Sequence, residues 1–132
     1  MDVGQLLESK GYTVQTVHPD MRVSEAIGAL SRFGDGALIV SDRGLTIDGL
    51  LTEHDIIRHL HLEGPDGMND PIRSIMSTDV MTCSPSDRLD DLAALMSERR
   101  SWQLPVVARG RIIGLVTVGD VVQHQMQLTL PL

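Results

Sequence analysis

Two threonine–aspartate pairs carry the chemistry this sequence can offer. Thr52 stands three residues ahead of Asp55, and Thr117 stands three ahead of Asp120. A Thr placed where a strand gives way to a helix accepts the N–H groups of the first turn. An acid three residues on can return the bond, as in a capping box. The same place suits a ligand. A helix N-terminus presents unpaired donors and a positive dipole end to a phosphate. An ionised Asp, which only accepts hydrogen bonds, suits a vicinal diol such as that of a ribose.

The pairs sit in matching frames. Gly49–Ile57 reads GLLTEHDII, and Gly114–Val122, 65 residues later, reads GLVTVGDVV. The Gly, the first Leu, the Thr and the Asp are identical, and only Glu53-His54 against Val118-Gly119 differ in kind. Self-similarity at a fixed period signals a repeat architecture. Helix capping alone accounts for one copy; the repetition of the whole frame points to a ligand. The Gly is read as room for that ligand to approach the strand backbone.

The doubled pattern G-h-h-T-x-x-D-h-h resembles the cystathionine β-synthase (CBS) domain, and nearly the whole chain is similar to a CBS pair, or Bateman module. The resemblance implies an α/β fold, two β-α-β-β-α repeats packed about a pseudo-two-fold axis in a single module. The first repeat covers residues 12–62 and the second 71–126. Adenine nucleotides bind in the clefts between such repeats. AMP, ADP or ATP is the ligand implied, with NAD(H) and S-adenosylmethionine as further candidates.

Roles follow residue by residue. The resemblance puts ribose hydroxyls on Asp55 and Asp120 and phosphate near Thr52 and Thr117, with Leu50 and Leu115 beside them on the motif strands. His18 and Ser84 precede a Pro at the position that faces the cleft, and Val23 and Leu89 follow. Gly36-Ala37 make a small-residue corner for the base. In the second half Trp102-Gln103 stand where the family often has small residues. Arg100 is placed to reach a phosphate there, and Gly34 occupies its place in the first half. Asp120 and Thr117 are thereby expected to face His18, Val23 and Gly36-Ala37. Asp55 and Thr52 are expected to face Ser84, Leu89 and Trp102-Gln103.

Several elements must hold these residues in place. Val3, Leu6 and Leu7 predict a leading helix stopped by Gly11, which in CBS proteins often packs under the other repeat. Tyr12–Val17 alternates as a strand, with its counterpart at Val80–Cys83. Val23, Ala26, Ile27 and Leu30 predict an apolar helix stripe over about 24–33, and Leu89, Leu92, Ala93 and Met96 predict another. Ala37–Val40 and Leu104–Val107 read as strands, with Pro105 where no ladder N–H is needed. Asp42-Arg43-Gly44 and Arg109-Gly110 read as hairpin turns, the first two residues longer. The first motif helix is expected to end near Leu60, before a turn-rich linker over 61–70. Pro71–Met76 resembles the short helix that opens a second CBS repeat, and the chain after Val122 is expected to extend the last helix briefly and fray.

Composition narrows the class. The 132 residues make one domain's worth of chain. Each half alone would form a marginal core, so a shared one is expected. A net charge of −7 and only three aromatics (Tyr12, Phe33, Trp102) argue against a nucleic-acid partner. The single Cys83 excludes an internal disulfide and fits a reducing compartment. No apolar run reaches membrane-span or signal-peptide length, so a cytoplasmic protein without a membrane partner is expected. His54, His59 and His61 are spaced to share no helix face, although Asp55 and His59 are i, i+4. No metal is expected from them. Cys83 has no base nearby in sequence, and no nucleophile–base–orienter set assembles, so no enzyme is expected.

Two readings remain. One is a stand-alone regulatory module that binds an adenosyl small molecule and passes the change to an unidentified regulated protein. The other is a structural module whose clefts stay empty. In either, the aliphatic helix faces imply a homodimer.

Overall fold

The structure, a computed structural model, describes residues 1–33 and 36–129. Gly34, and residues 130–132, on which part of the expected extension and fraying of the last helix falls, lie outside the described residues. The chain divides into two compact units: residues 15–80 form one, and residues 1–14 with 81–132 form the other.

The unit of residues 15–80 is built on a three-stranded sheet. Strand β1 (Thr16–Val17) runs parallel to β2 (Ala37–Val40), joined by helix α2 (Val23–Phe33). Strand β3 (Gly49–Thr52) returns antiparallel, with Ala37 opposite Thr52, and runs directly into α3 (Glu53–Glu63). The predicted strand over Tyr12–Val17 shrinks to two residues, because only Thr16 and Val17 meet partners on β2, at Ile39 and Val40. Tyr12 is exposed instead. Helix α2 buries Val23, Ala26 and Ala29. Ala29 replaces the expected Ile27, which stays 38% exposed, so the side chains turned to the core are mostly small.

The hairpin turn expected at Asp42-Arg43-Gly44 is a longer loop over 41–48. The buried Ser41 hydroxyl donates to Thr46 O and accepts from the Gly44 N–H, and Asp48 accepts from the Asp42 N–H. These bonds take the place of ladder pairing. Helix α3 outruns its expected end at Leu60 and stops at Glu63, where Gly64 at φ +74° closes it with an N–H bond to Leu60 O. The linker is ordered as 3₁₀ turns, Pro65–Asn69 and Ile72–Ser74.

The other unit repeats the plan with fewer strands. Helix α4 (Leu89–Arg99) leads to a two-stranded hairpin of β4 (Gln103–Ala108) and β5 (Arg111–Thr117), which runs into α5 (Val118–Thr129). Gln103 lies opposite Thr117, as Ala37 lies opposite Thr52. The turn between β4 and β5 is the expected Arg109-Gly110, both at positive φ. This conformation matches the twist of flanking strands. The strand expected at Val80–Cys83 reduces to a single bridge in which Cys83 N–H donates to Pro105 O and Val107 N–H donates to Cys83 O. Pro105 thus contributes only a carbonyl to this bridge.

Both units are completed by a leading segment that belongs, in chain order, to the opposite repeat. Helix α1 (Val3–Lys10), closed by a reciprocal Asp2–Gln5 capping box, buries Val3 and Leu7 in the unit of residues 81–132. The 71–76 segment buries Ile72 in the unit of residues 15–80. Two separate core clusters result, where a shared core was expected. Each leading segment adds the apolar area that a 65-residue half would lack.

The motif glycines explain themselves here, and differently from the sequence reading. A Cβ on Gly114 would stand 2.6 Å from Leu7 Cδ2, and one on Gly49 would stand 2.6 Å from Met76 Sδ and 2.9 Å from Ser77 O. The space read as room for a ligand is filled by the leading segments. Gly49→Ala should therefore lower stability by about 1–3 kcal/mol, because the Ser77 backbone cannot swing away as a side chain can. Gly28→Ala, in mid-α2 with only the Arg32 guanidinium near, should raise stability by up to about 1 kcal/mol. Urea midpoints of the two variants test the contrast.

Candidate functional site

Each T-x-x-D motif begins where a strand becomes a helix without a loop. Thr52 caps α3 at φ −107°: its Oγ1 accepts the Asp55 N–H at 3.1 Å, and Asp55 Oδ2 accepts the Thr52 N–H at 2.9 Å. Thr117 Oγ1 accepts the Asp120 N–H at 3.2 Å, and Asp120 Oδ2 accepts the Thr117 N–H at 2.9 Å. Both are reciprocal capping boxes. The first helical N–H is used as well, Glu53 donating to Gly36 O and Val118 to Trp102 O.

These bonds leave a defined remainder. In each Thr the hydroxyl oxygen accepts, so its proton is still available to donate. Among the described residues the N–H groups of His54 and Gly119, one position further on, have no partner. Each Asp gives Oδ2 to its own backbone and leaves Oδ1 without a hydrogen bond, although at Asp55 that oxygen lies 3.6 Å from the Arg58 guanidinium. Two donors and a carboxylate oxygen at a helix N-terminus can hold an anion and a hydroxyl side by side.

The residues beside the motifs fall into two groups. In the unit of residues 15–80, Gly36 and Ala37 abut Thr52 and Glu53 through the strand pairing. Gly36, at φ +89°, has open space where a Cβ would stand. In the other unit Gln103 pairs with Thr117 and is buried, while Trp102 is 51% exposed. Arg100 is exposed and ends α4 in the left-handed conformation, φ 53°. Val23 and Leu89 are fully buried in the cores of their own units. His18 is held at both ring nitrogens: Nδ1 accepts the Asp20 N–H at 3.0 Å, and Nε2 lies 2.7 Å from Asp42 Oδ1. The Ser84 N–H donates to Asp87, and its hydroxyl meets Ser86.

The two motifs differ in one contact that sequence reasoning missed. Lys10, in the last turn of α1, places Nζ 2.7 Å from Asp120 Oδ2 and 3.0 Å from Leu115 O. Leu50, the counterpart of Leu115, instead exchanges backbone bonds with Ser77 at 2.9 Å. Among the described residues the one cation beside Asp55 is Arg58, exposed and 3.6 Å from Oδ1, not Oδ2. Lys10 is the only lysine among the eleven Lys and Arg residues, but no feature of the sequence ties it to the second motif.

Other candidates find ordinary roles. His59, at i, i+4 from Asp55, pairs with Asp70 at 2.8 Å instead, across the turn of residues 65–69. His124, buried on α5, lies 3.2 Å from Asp90. No cluster of three metal-binding side chains is present among the described residues. No helix of the described residues is long and apolar enough to cross a membrane. Cys83 is buried, and desolvation, with Asp87 adding to it, pushes its thiol from an ordinary 9.0 up to about 12. It is not a thiolate nucleophile at neutral pH.

The fold and the doubled capped motif define a tandem-repeat α/β module. The chain belongs to the CBS family: the model of the CBS domain matches residues 9–62 and again 72–127. The chain is 32% identical over 113 residues to the CBS domain-containing protein YhcV of Bacillus subtilis, covering 86% of this chain and 79% of that protein. It superposes on the CBS-domain containing protein ATU1752 from Agrobacterium tumefaciens with a TM-score of 0.86 and 31% identity, over 94% of this chain and 92% of that one. The CBS domain pair of protein MJ0100, solved with 5′-methylthioadenosine and S-adenosyl-L-methionine, matches at TM-score 0.79 and 25% identity, over 95% of this chain and 99% of that one. Two further curated relatives are longer, the chain spanning 39% and 42% of them.

The Cys83 environment predicts a pH dependence with a definite sign. A thiol raised in the folded state stabilises the fold fully below its unfolded value and loses that contribution as pH climbs from 9.0 towards about 12. Urea midpoints should therefore fall across that interval, and Cys83→Ala should flatten the decline. A Cys83→Ala variant with the same alkaline slope would show that other groups cause it.

Proposed function

We propose that this chain is a regulatory CBS module that takes an adenosyl ligand at its T-x-x-D motifs and passes the change to a partner protein. In this reading the ribose hydroxyls donate to the free oxygen of Asp55 or Asp120. The Thr hydroxyl, with the His54 or Gly119 N–H, meets the phosphate. The observation that carries the reading is the remainder left by each capping box: a motif built only to start a helix has no need of the same free donors and acceptor twice. The ligands held by the MJ0100 domain pair support the adenosyl class. Among AMP, ADP, ATP, NAD(H) and S-adenosylmethionine, the phosphate donors favour the nucleotides. A ligand moves such a module only by its differential affinity for two states, so the partner must read a surface that differs between them.

A homodimer belongs to the same proposal. Ile27 on α2, Ile57 and Leu62 on α3, and Val122 and Met126 on α5 are all exposed aliphatic or Met side chains, Ile57 and Leu62 by 65% and 72%. Sedimentation at micromolar protein should give twice the chain mass. A monomer mass independent of concentration would remove the dimer.

Thermal melts test the ligand. At 100 times its dissociation constant a ligand specific for the native state adds about 2.7 kcal/mol, which raises Tm by several degrees for a domain of this size. AMP, ADP, ATP or NAD(H) should produce that rise, and GMP less. Asp55→Ala should weaken its own site about tenfold to a hundredfold, the loss of one charge-assisted bond. No rise with any adenosyl ligand at millimolar concentration would favour the alternative, a structural module with empty clefts.

A further inference from the structure

One side chain from outside the second motif acts on both the orientation of its carboxylate and its charge. Lys10 Nζ donates to Asp120 Oδ2 at 2.7 Å and to Leu115 O at 3.0 Å. That Asp120 oxygen already accepts the Thr117 N–H at 2.9 Å. Two donors on one oxygen hold the carboxylate against rotation. Oδ1, the oxygen left for a ribose, accepts no hydrogen bond among the described residues. The ion pair is partly shielded, the Asp120 side chain being 18% exposed and that of Lys10 34%, so it is screened less than a solvated surface pair. An ammonium carries three donors, and two are used here among the described residues. The first motif is built otherwise. Ser77 N–H takes the Leu50 carbonyl, and among the described residues no cation lies on Asp55 Oδ2.

We propose that Lys10 is a positioning and specificity-determining residue of the second motif. It holds the Asp120 carboxylate with Oδ1 open for the ribose, and it offsets the negative charge that a phosphate would otherwise meet. The proposal rests on the nucleotide reading above and goes further, because it states which adenosyl ligands this motif selects: those carrying a 5′-phosphate over uncharged nucleosides. The reason is electrostatic. A phosphate at the Thr117 hydroxyl and the Gly119 N–H lies at the same first turn as Asp120, and a bare carboxylate there repels it. With Lys10 on Oδ2 the pair is neutral, one ammonium donor remains for the phosphate, and the positive end of the helix dipole acts unopposed. Without the ammonium, Asp120 still accepts the hydroxyls of a neutral nucleoside but disfavours the nucleotide.

The test compares two ligands at the second motif alone. AMP and adenosine are each titrated by calorimetry into Asp55→Ala, into Asp55→Ala/Lys10→Met and into Asp55→Ala/Lys10→Arg. The Met keeps the apolar stem and deletes the charge. Lys10→Met should lower the preference for AMP over adenosine about tenfold, the order of one charge-assisted interaction, and Lys10→Arg should keep most of that preference. A loss equal for both ligands would show that Lys10 only caps the strand edge at Leu115. An unchanged preference, or tighter AMP binding without the lysine, would overturn the proposal as well. A second measurement needs no substitution, because Lys10 is the only lysine in the chain. Its acetylation by a succinimide ester is followed by mass on the 1–22 peptide. At equal occupancy AMP should slow the reaction more than adenosine does; equal slowing, or acceleration by AMP, would again count against the role. If neither ligand binds at millimolar concentration, the nucleotide reading itself fails and takes this proposal with it. AMP binding with the same preference in all three variants removes only the role of Lys10.

Discussion

The structure depends on one packing constraint, a side chain from elsewhere in the chain seated on a glycine at the start of each motif frame. Leu7 occupies the surface of Gly114, and Met76 with the Ser77 carbonyl occupies that of Gly49. Close packing of this kind leaves no space for even one methyl group. It ties the leading segment to the strand that delivers the T-x-x-D motif, three residues before the capping Thr. Placement of the motif helix is thus linked to α1 in one unit and to the 71–76 segment in the other. The reciprocal Thr–Asp bonds then set where each helix begins.

Much of this was legible in the sequence because it is local. The strand–Thr–x–x–Asp transition, the apolar spacing of α4 and the Arg109-Gly110 turn all follow from nearest-neighbour chemistry, and they stand as read. The errors came where a distant partner decides. Tyr12–Val17 alternates well enough for a strand, but β2 offers a parallel partner only to Thr16 and Val17. Ile27 fits the stripe of α2, yet the smaller Ala29 takes the buried place. The α3 terminus slipped because His61, Leu62 and Glu63 tolerate a helix and Gly64 ends it one residue later.

The site was legible in its residue types and not in their occupancy. Thr52, Asp55, Thr117 and Asp120 were identified by repetition, and the structure gives each a cap to make. The sequence cannot show that Asp120 is met by a cation 110 positions away, since nothing local links Lys10 to the second motif. The glycine was misread for the same reason. A glycine repeated in both frames says that something approaches the backbone, not whether it is a ligand or the protein itself.

The crossing of the leading segments has a consequence for synthesis. Helix α1 leaves the ribosome ahead of both repeats, but the unit it completes is finished only when β5 and α5 emerge. Eight residues cannot hold a helix in water unaided, so α1 remains without a stable partner until β5 and α5 have emerged, and its closure has the long sequence separation that slows folding. The unit of residues 15–80, whose own closing segment at 71–76 follows directly in the chain, can assemble while the remainder is still being made. Helix α1 is thereby made before either repeat and is among the last of these elements to be placed. Proteolysis of nascent chains should find Lys10 and Arg22 open at very different stages.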